Sequence, residues 1–213
     1  MNYKIILASN SPRRRELLAG LDIPFEVKVI KGIDESYPES LDAYEVAEYI
    51  SSKKAEAYRS LLDEEPSGKA SEEQGEDAAQ TLILTSDTVV IAPTADEQND
   101  QEGKGVILGK PKDEEDALSM LRFLQGNTHQ VYTGVCLVTA ESTQGFYEKT
   151  DVTMYEASDE ELEAYIRSGE PMDKAGSYGI QGLGTILVRE IQGDYNNVVG
   201  LPVSAIWQRL TKS

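Results

Sequence analysis

The chain has 213 residues, 39% of them hydrophobic, and a formal charge of -18 from 38 acids against 20 Lys plus Arg. That length and apolar content can bury one substantial core, in one domain or a two-lobed one, while the acidity argues against a broad surface for gripping a nucleic-acid backbone. No apolar run approaches the roughly 18 residues of a membrane helix, and the single Cys136, set in an apolar run, reads as a small buried hydrophobe with no partner for a disulfide.

The first eight residues carry an apolar stretch too short for a signal h-region, and it runs straight into a basic segment. A soluble, cytoplasmic protein is expected. Residues 3–8 read as a buried strand, and Ser9, Asn10, Ser11 and Pro12 supply turn and capping residues before a helix at 13–18. Residues 25–30 alternate like a strand and lead to an acidic turn at 34–36. A long helix is expected from Ala43 to about Leu62, with Val46, Ala47, Ile50 and Ala55 on one face.

Residues 63–80 are polar and strongly acidic, which favours a solvated insertion, and a second polar excursion spans about 93–104. Between them, 81–85 reads as a strand, followed by Ser86, Asp87 and Thr88 and a further apolar stretch at 89–92. The latter is expected to form a hairpin with 105–109. A helix is marked at 113–124, paired strands at 129–138 and 145–154, and a short acidic helix at 158–168, capped by Ser158 or Asp159. A glycine-rich segment at 176–184, a strand at 186–188 and a closing helix at 203–210 complete an α/β pattern.

Arg13, Arg14 and Arg15 stand at a predicted helix N-terminus, where the macrodipole disfavours cations. Phosphate compensates them well, because free helix N–H groups and guanidinium forks both match its oxygens. For any single arginine the alternative is a solvated basic turn; for the cluster the phosphate reading is taken. Asp87, flanked by two apolar stretches, is either a carboxylate held at a cleft, for a metal or for deprotonating water, or an Asx turn with Thr88. Glu35 and its neighbour Asp34 raise the same question, and a hard cation such as Mg²⁺ needs only one or two carboxylates beside substrate phosphates. Lys54 and Lys110 are point charges for phosphate or solvated lysines, Lys110 being better fixed by its Gly-Lys-Pro turn. Gln181 displays an amide from the glycine-rich loop and either pairs with a base edge or faces solvent. The lone His129 suits a structural hydrogen bond, and zinc spacing, a Walker motif and GxGxxG are all absent.

Taken together, Leu7 to Leu18 (containing Ser9, Arg13 and Arg14), Ser86 to Val90, Leu108 to Pro111, Thr128 to Gly134, Asp173 to Gly182 and Gly193 to Pro202 resemble the Maf family. The similarity spans the chain apart from the polar insertions. It implies a single domain, 1–213, with a mixed twisted sheet flanked by helices and two lobes around a deep nucleotide-binding cleft, inosine triphosphatase-like and often dimeric. It also implies hydrolysis of a nucleoside triphosphate between the α and β phosphates with a divalent cation, Mg²⁺ or Mn²⁺. By resemblance Asp87 is the proton acceptor, Ser9, Arg13, Arg14, Lys54 and Lys110 line the phosphate end, and Glu35 helps with metal or water. Arg13, Thr88 and Gln181 match base-selectivity positions of the branch preferring dTTP and UTP; Arg15 and Lys53 receive no role. A non-catalytic nucleotide-binding regulator of cell division or septum formation is a competing reading that would use the same pocket, and a house-cleaning pyrophosphatase acting on damaged or modified nucleotides is a third, sharing the chemistry and differing only in the base.

Overall fold

The computed structural model describes residues 3–63, 80–93 and 105–212. The expected insertions at 63–80 and 93–104 therefore lie outside the described residues except at their ends, where Asp63 closes a helical turn and Gln80 opens a strand.

Strand β1 (Tyr3–Leu7) enters helix α1 (Pro12–Ala19), with Ser11 as N-cap: its hydroxyl accepts the Arg14 N–H, and Pro12 opens the first turn. Strand β2 (Phe25–Val27) is shorter than the expected 25–30, because its partner β1 ends at Leu7, opposite Val27. Helix α2 (Ala43–Tyr58) starts on a capping box in which the Glu45 carboxylate accepts the Asp42 N–H at 3.1 Å. It ends at Arg59 and is followed by a separate turn, α3 (Ser60–Asp63), where the sequence suggested one continuous helix.

The largest departure is β3 (Gln80–Ala92). Thirteen residues form one strand through Ser86, Asp87 and Thr88, so Asp87 lies mid-strand and not at a strand end. Strand β4 (Val106–Leu108) makes the expected antiparallel pair with residues 90–92 of β3. There follow α4 (Glu114–Leu124), β5 (Thr128–Val138), β6 (Thr143–Met154) and α5 (Asp159–Ile166), whose N-cap is Ser158. The expected strand at 186–188 is instead the end of a 3-10 turn, Gly182–Leu187, and β7 (Val188–Gly193) begins only where pairing with β6 does. Short α6 (Tyr195–Val199) and α7 (Val203–Lys212) close the chain.

The sheet is mixed, with strand order β2-β1-β3-β5-β6-β7 and β4 beside the far half of β3. β1 pairs in parallel with β2 and β3; the remaining pairs are antiparallel. On one edge, β3 is paired with β1 through Leu84 and with β4 from Val90, and among the described residues no strand pairs there with the five between. On the other edge the ladder with β5 runs unbroken through this stretch. The apolar core divides at the same place. Leu82, Ile83 and Leu84 pack in clusters with α1, α7 and the end of α2, whereas Val89, Val90, Ile91 and Ala92 pack with α4, α5 and the start of α2. No helix among the described residues is long and apolar enough to cross a membrane.

Helix α2 lies on the sheet backbone to backbone. Gly134 of β5 is paired with Asp87, and a Cβ there would stand 2.2 Å from the Ala47 carbonyl. This close approach sets the height at which Lys54, seven residues or about two turns further on, crosses Asp87. Replacing Gly134 by Ala should therefore overpack the junction, lowering stability by about 1–3 kcal/mol. Chemical denaturation would measure it; wild-type stability in that variant would contradict the packing described.

Candidate active site

A cavity of about 850 Å³ opens at the interrupted edge of β3. The nine residues to which the resemblance gives a site role all line it: Ser9, Arg13 and Arg14 from the β1–α1 turn, Glu35 from the 28–42 loop, Lys54 from α2, Asp87 and Thr88 from β3, Lys110 after β4, and Gln181 from the glycine-rich loop. Lys110 is exposed, and its turn is held by the Gly176 N–H donating to the Gly109 carbonyl at 3.0 Å. The wall carries five basic side chains, with Lys174 the fifth beside Arg13, Arg14, Lys54 and Lys110, against three carboxylates, Glu35, Asp87 and Asp173. A locally cationic pocket thus sits in a chain of charge -18, and over the roughly 8 Å that matter at physiological salt the local balance prevails.

Strand alternation distributes the polar groups of β3 over both faces. Thr85 and Asp87 face α2: the Thr85 hydroxyl donates to the Ser51 carbonyl at 2.7 Å, and Asp87 Oδ1 meets Lys54 Nζ at 2.6 Å. Ser86 and Thr88 face α1 and α6, the Ser86 hydroxyl donating to the Gly200 carbonyl at 3.0 Å. Asp87 is thus in a strand and paired with a cation, which removes the Asx-turn alternative.

Lys54 Nζ also meets Glu35 Oε1 at 2.9 Å, so one ammonium bridges two carboxylates. Lys54 and Asp87 are mostly shielded, with side-chain exposures of 14% and 15%, whereas Glu35 remains open at 60%. Two carboxylates already converging on a cation form an all-oxygen set suited to Mg²⁺ or Mn²⁺, which takes one or two carboxylates and fills its shell with water and phosphate. No group of three or more His, Cys, Asp or Glu that could cage a metal exists among the described residues, so the fit is to a cation shared with phosphate.

The choice between Asp34 and Glu35, open in the sequence, is made by the neighbouring lysine. Lys53 Nζ donates to Asp34 Oδ2 at 2.7 Å and to the Ser36 carbonyl at 2.9 Å, while Asp34 accepts the Ser36 N–H and hydroxyl. These bonds hold the Asp34 carboxyl well below its ordinary pKa, Lys53 contributing most. Asp34 is absent from the cavity wall. Lys53 and Lys54, adjacent on α2, thus grip adjacent acids, and the first pair fixes the loop that presents the second.

Arg14, on the cavity wall, is bonded to the protein through all three of its guanidinium nitrogens. Its Nε donates to the Gly200 carbonyl at 2.8 Å, one terminal nitrogen to the Ser86 carbonyl at 2.7 Å, and the other to the Thr88 hydroxyl at 3.0 Å. Burial lowers its pKa, opposed chiefly by Asp87; a guanidinium remains charged even so. Thr88 is also engaged, since Thr133 donates to the Asn197 carbonyl and is left to accept from Thr88 at 3.0 Å. Arg13 donates to Asp173 Oδ2 at 3.1 Å. His129 is structural as expected: it is buried, its Nε2 lies 2.7 Å from the Tyr178 hydroxyl, and burial lowers its pKa to about 4. Cys136 is buried too, and burial raises its thiol.

The sequence reading missed Asp173 and Lys174 as cavity residues, although both stand in a motif it singled out, and it gave Lys53 nothing to do. If Lys53 acts by seating Glu35, Lys53→Ala should cut kcat/KM for nucleotide hydrolysis about 10- to 100-fold with little change in thermal stability. Steady-state kinetics beside thermal melts would decide, wild-type kcat/KM being the contrary result.

The Maf family model, described as Maf-like protein, matches residues 4–213. A dTTP/UTP pyrophosphatase of Phocaeicola vulgatus is 48% identical over 99% of this chain and 96% of its own length. Proteins of the same name from Bacteroides thetaiotaomicron and Bacillus mycoides are 42% and 44% identical, covering 99% and 97% of this chain and 96% and 94% of theirs. Among solved structures, the Ham1 protein of Staphylococcus aureus matches 87% of this chain and 79% of its own at 16% identity and a TM-score of 0.43. With a family model covering the cavity and both cores, and relatives alike over nearly their full length, this chain belongs to the Maf family.

Proposed function

We propose that the chain is a cytoplasmic nucleoside triphosphate pyrophosphatase that hydrolyses dTTP and UTP to the monophosphate and pyrophosphate. The observation that carries this reading is one cavity in which Lys54 ties Asp87 to Glu35 and whose wall also holds the half-buried Gln181. The names of the full-length relatives supply the bases.

In this reading the triphosphate lies along the open edge of β3, where Arg13, Lys54 and Lys110 neutralise its oxygens and Ser9 adds a hydroxyl. Charge neutralisation and positioning are most of what phosphate-anhydride cleavage requires. Asp87 accepts the proton of the attacking water through its second carboxylate oxygen, Oδ1 being held by Lys54. Water adds across the α–β anhydride, the bond to the bridging oxygen breaks, and pyrophosphate departs. Asp87 and Glu35 would hold a Mg²⁺ or Mn²⁺ ion, which would supply further charge neutralisation at the phosphate oxygens. Arg14 works through the protein, clamping the carbonyl and hydroxyl on either side of Asp87. At the other end the Gln181 amide offers one donor and one acceptor, as the edge of uracil or thymine requires.

A panel of nucleoside triphosphates with Mg²⁺, Mn²⁺ or chelator, products resolved by anion exchange, tests this reading. Metal-dependent release of monophosphate and pyrophosphate from dTTP and UTP is expected, falling about 10²- to 10⁴-fold in Asp87→Asn. Well-folded protein that binds triphosphate tightly, turns over none of the panel and is indifferent to Asp87→Asn would establish a binding regulator instead.

A further inference from the structure

The loop that carries Gln181 has glycine at 176, 179, 182 and 184. Such a segment has little conformational preference of its own, so something outside it must fix the amide. Tyr165, buried on α5, accepts the Gly179 N–H at 3.1 Å and donates its proton to Glu170 Oε1 at 3.0 Å. Glu170 in turn accepts the Gly184 N–H on the same oxygen at 3.0 Å and the Leu183 N–H on Oε2 at 2.9 Å. One hydrogen-bonded chain therefore holds the main chain two residues before Gln181 and two and three residues after it.

The loop is closed tightly around this anchor. A Cβ on Gly184 would lie 2.2 Å from the Gly179 carbonyl, and one on Gly182, at φ +67°, would lie 2.5 Å from Glu170 Oε2. The anchor also reaches the arginine of the same wall: Lys174 Nζ donates to the Glu170 carbonyl at 2.5 Å and to Asp173 Oδ1 at 2.8 Å, and Asp173 receives Arg13. Neither Tyr165 nor Glu170 lines the cavity, whereas Gln181, Asp173 and Arg13 do.

We propose that Tyr165 and Glu170 are positioning residues for base selection, setting through the main chain of 179–184 how far Gln181 stands into the cavity and hence which bases fit. The proposal rests on the reading of Gln181 as the base contact. A fixed loop leaves room for a one-ring base within reach of the amide and excludes a two-ring base. A slack loop keeps the amide but loses the distance, so discrimination falls while the phosphate chemistry at Asp87 continues.

The test measures kcat/KM for UTP, CTP and ATP in the wild type, Gln181→Ala, Glu170→Gln and Tyr165→Phe. Gln181→Ala should lower the UTP to CTP ratio, which reads the base edge. Tyr165→Phe and Glu170→Gln should each lower both the UTP to CTP and the UTP to ATP ratios about tenfold, through a higher KM for UTP with its kcat nearly kept. Unaltered ratios in Gln181→Ala would remove the base contact on which the proposal rests. Lowered discrimination in Gln181→Ala beside wild-type ratios in folded Tyr165→Phe and Glu170→Gln would overturn the proposal alone. Should Glu170→Gln fail to fold, Tyr165→Phe, which removes a single oxygen, decides.

Discussion

The site depends on five residues of β3 that, among the described residues, have a strand on one edge only. β1 accompanies the strand to Leu84 and β4 joins it at Val90. The backbone groups between them must be satisfied by something else. Arg14 does this for one of them from α1, taking the Ser86 carbonyl directly and tying it to Gly200 and to the Thr88 hydroxyl. A side chain thereby substitutes for a missing strand without filling its volume, and the cavity is the volume left. The same gap separates the two halves of the apolar core, so two lobes share one continuous strand and Asp87 stands at their junction.

Placing a carboxylate at such a junction raises an electrostatic difficulty that Lys54 resolves. Two acids, Glu35 from a loop and Asp87 from a strand, would repel across the opening of an already acidic chain. The ammonium between them holds both within 3 Å of one point. The position of that ammonium depends in turn on the contact of Gly134 with Ala47, which lets α2 rest on the sheet backbone. A glycine in β5, a lysine in α2 and an acid in β3 thus form one mechanical unit, remote in sequence and continuous in space.

Much of this was legible in the sequence. Arg13 and Arg14 after the first strand, Asp87 between apolar stretches, Lys110 in its Gly-Lys-Pro turn and Gln181 among glycines were all visible as unusual placements, and all lie on one cavity, while Arg15 of the same cluster does not. The alternation of strands and helices announced an α/β class. What escaped were facts carried by long-range contacts. Nothing local makes Arg14 a clamp, since its partners lie 72, 74 and 186 residues away. Ser86, Asp87 and Thr88 resembled a turn, but the unbroken ladder to β5 carries the strand through them. Lys53 received no role from the sequence and Glu170 was not singled out in it, and only the fold shows that one seats the Glu35 loop and the other holds the Gln181 loop.

A crystal structure with a non-hydrolysable α,β-imido analogue of dTTP would show whether the open edge of β3 receives the triphosphate. The triphosphate should lie beside residues 85–89 with Asp87 facing the α–β linkage and the base against Gln181. A nucleotide bound on another face, or lying in the cavity with its base and phosphate ends exchanged, would contradict this placement.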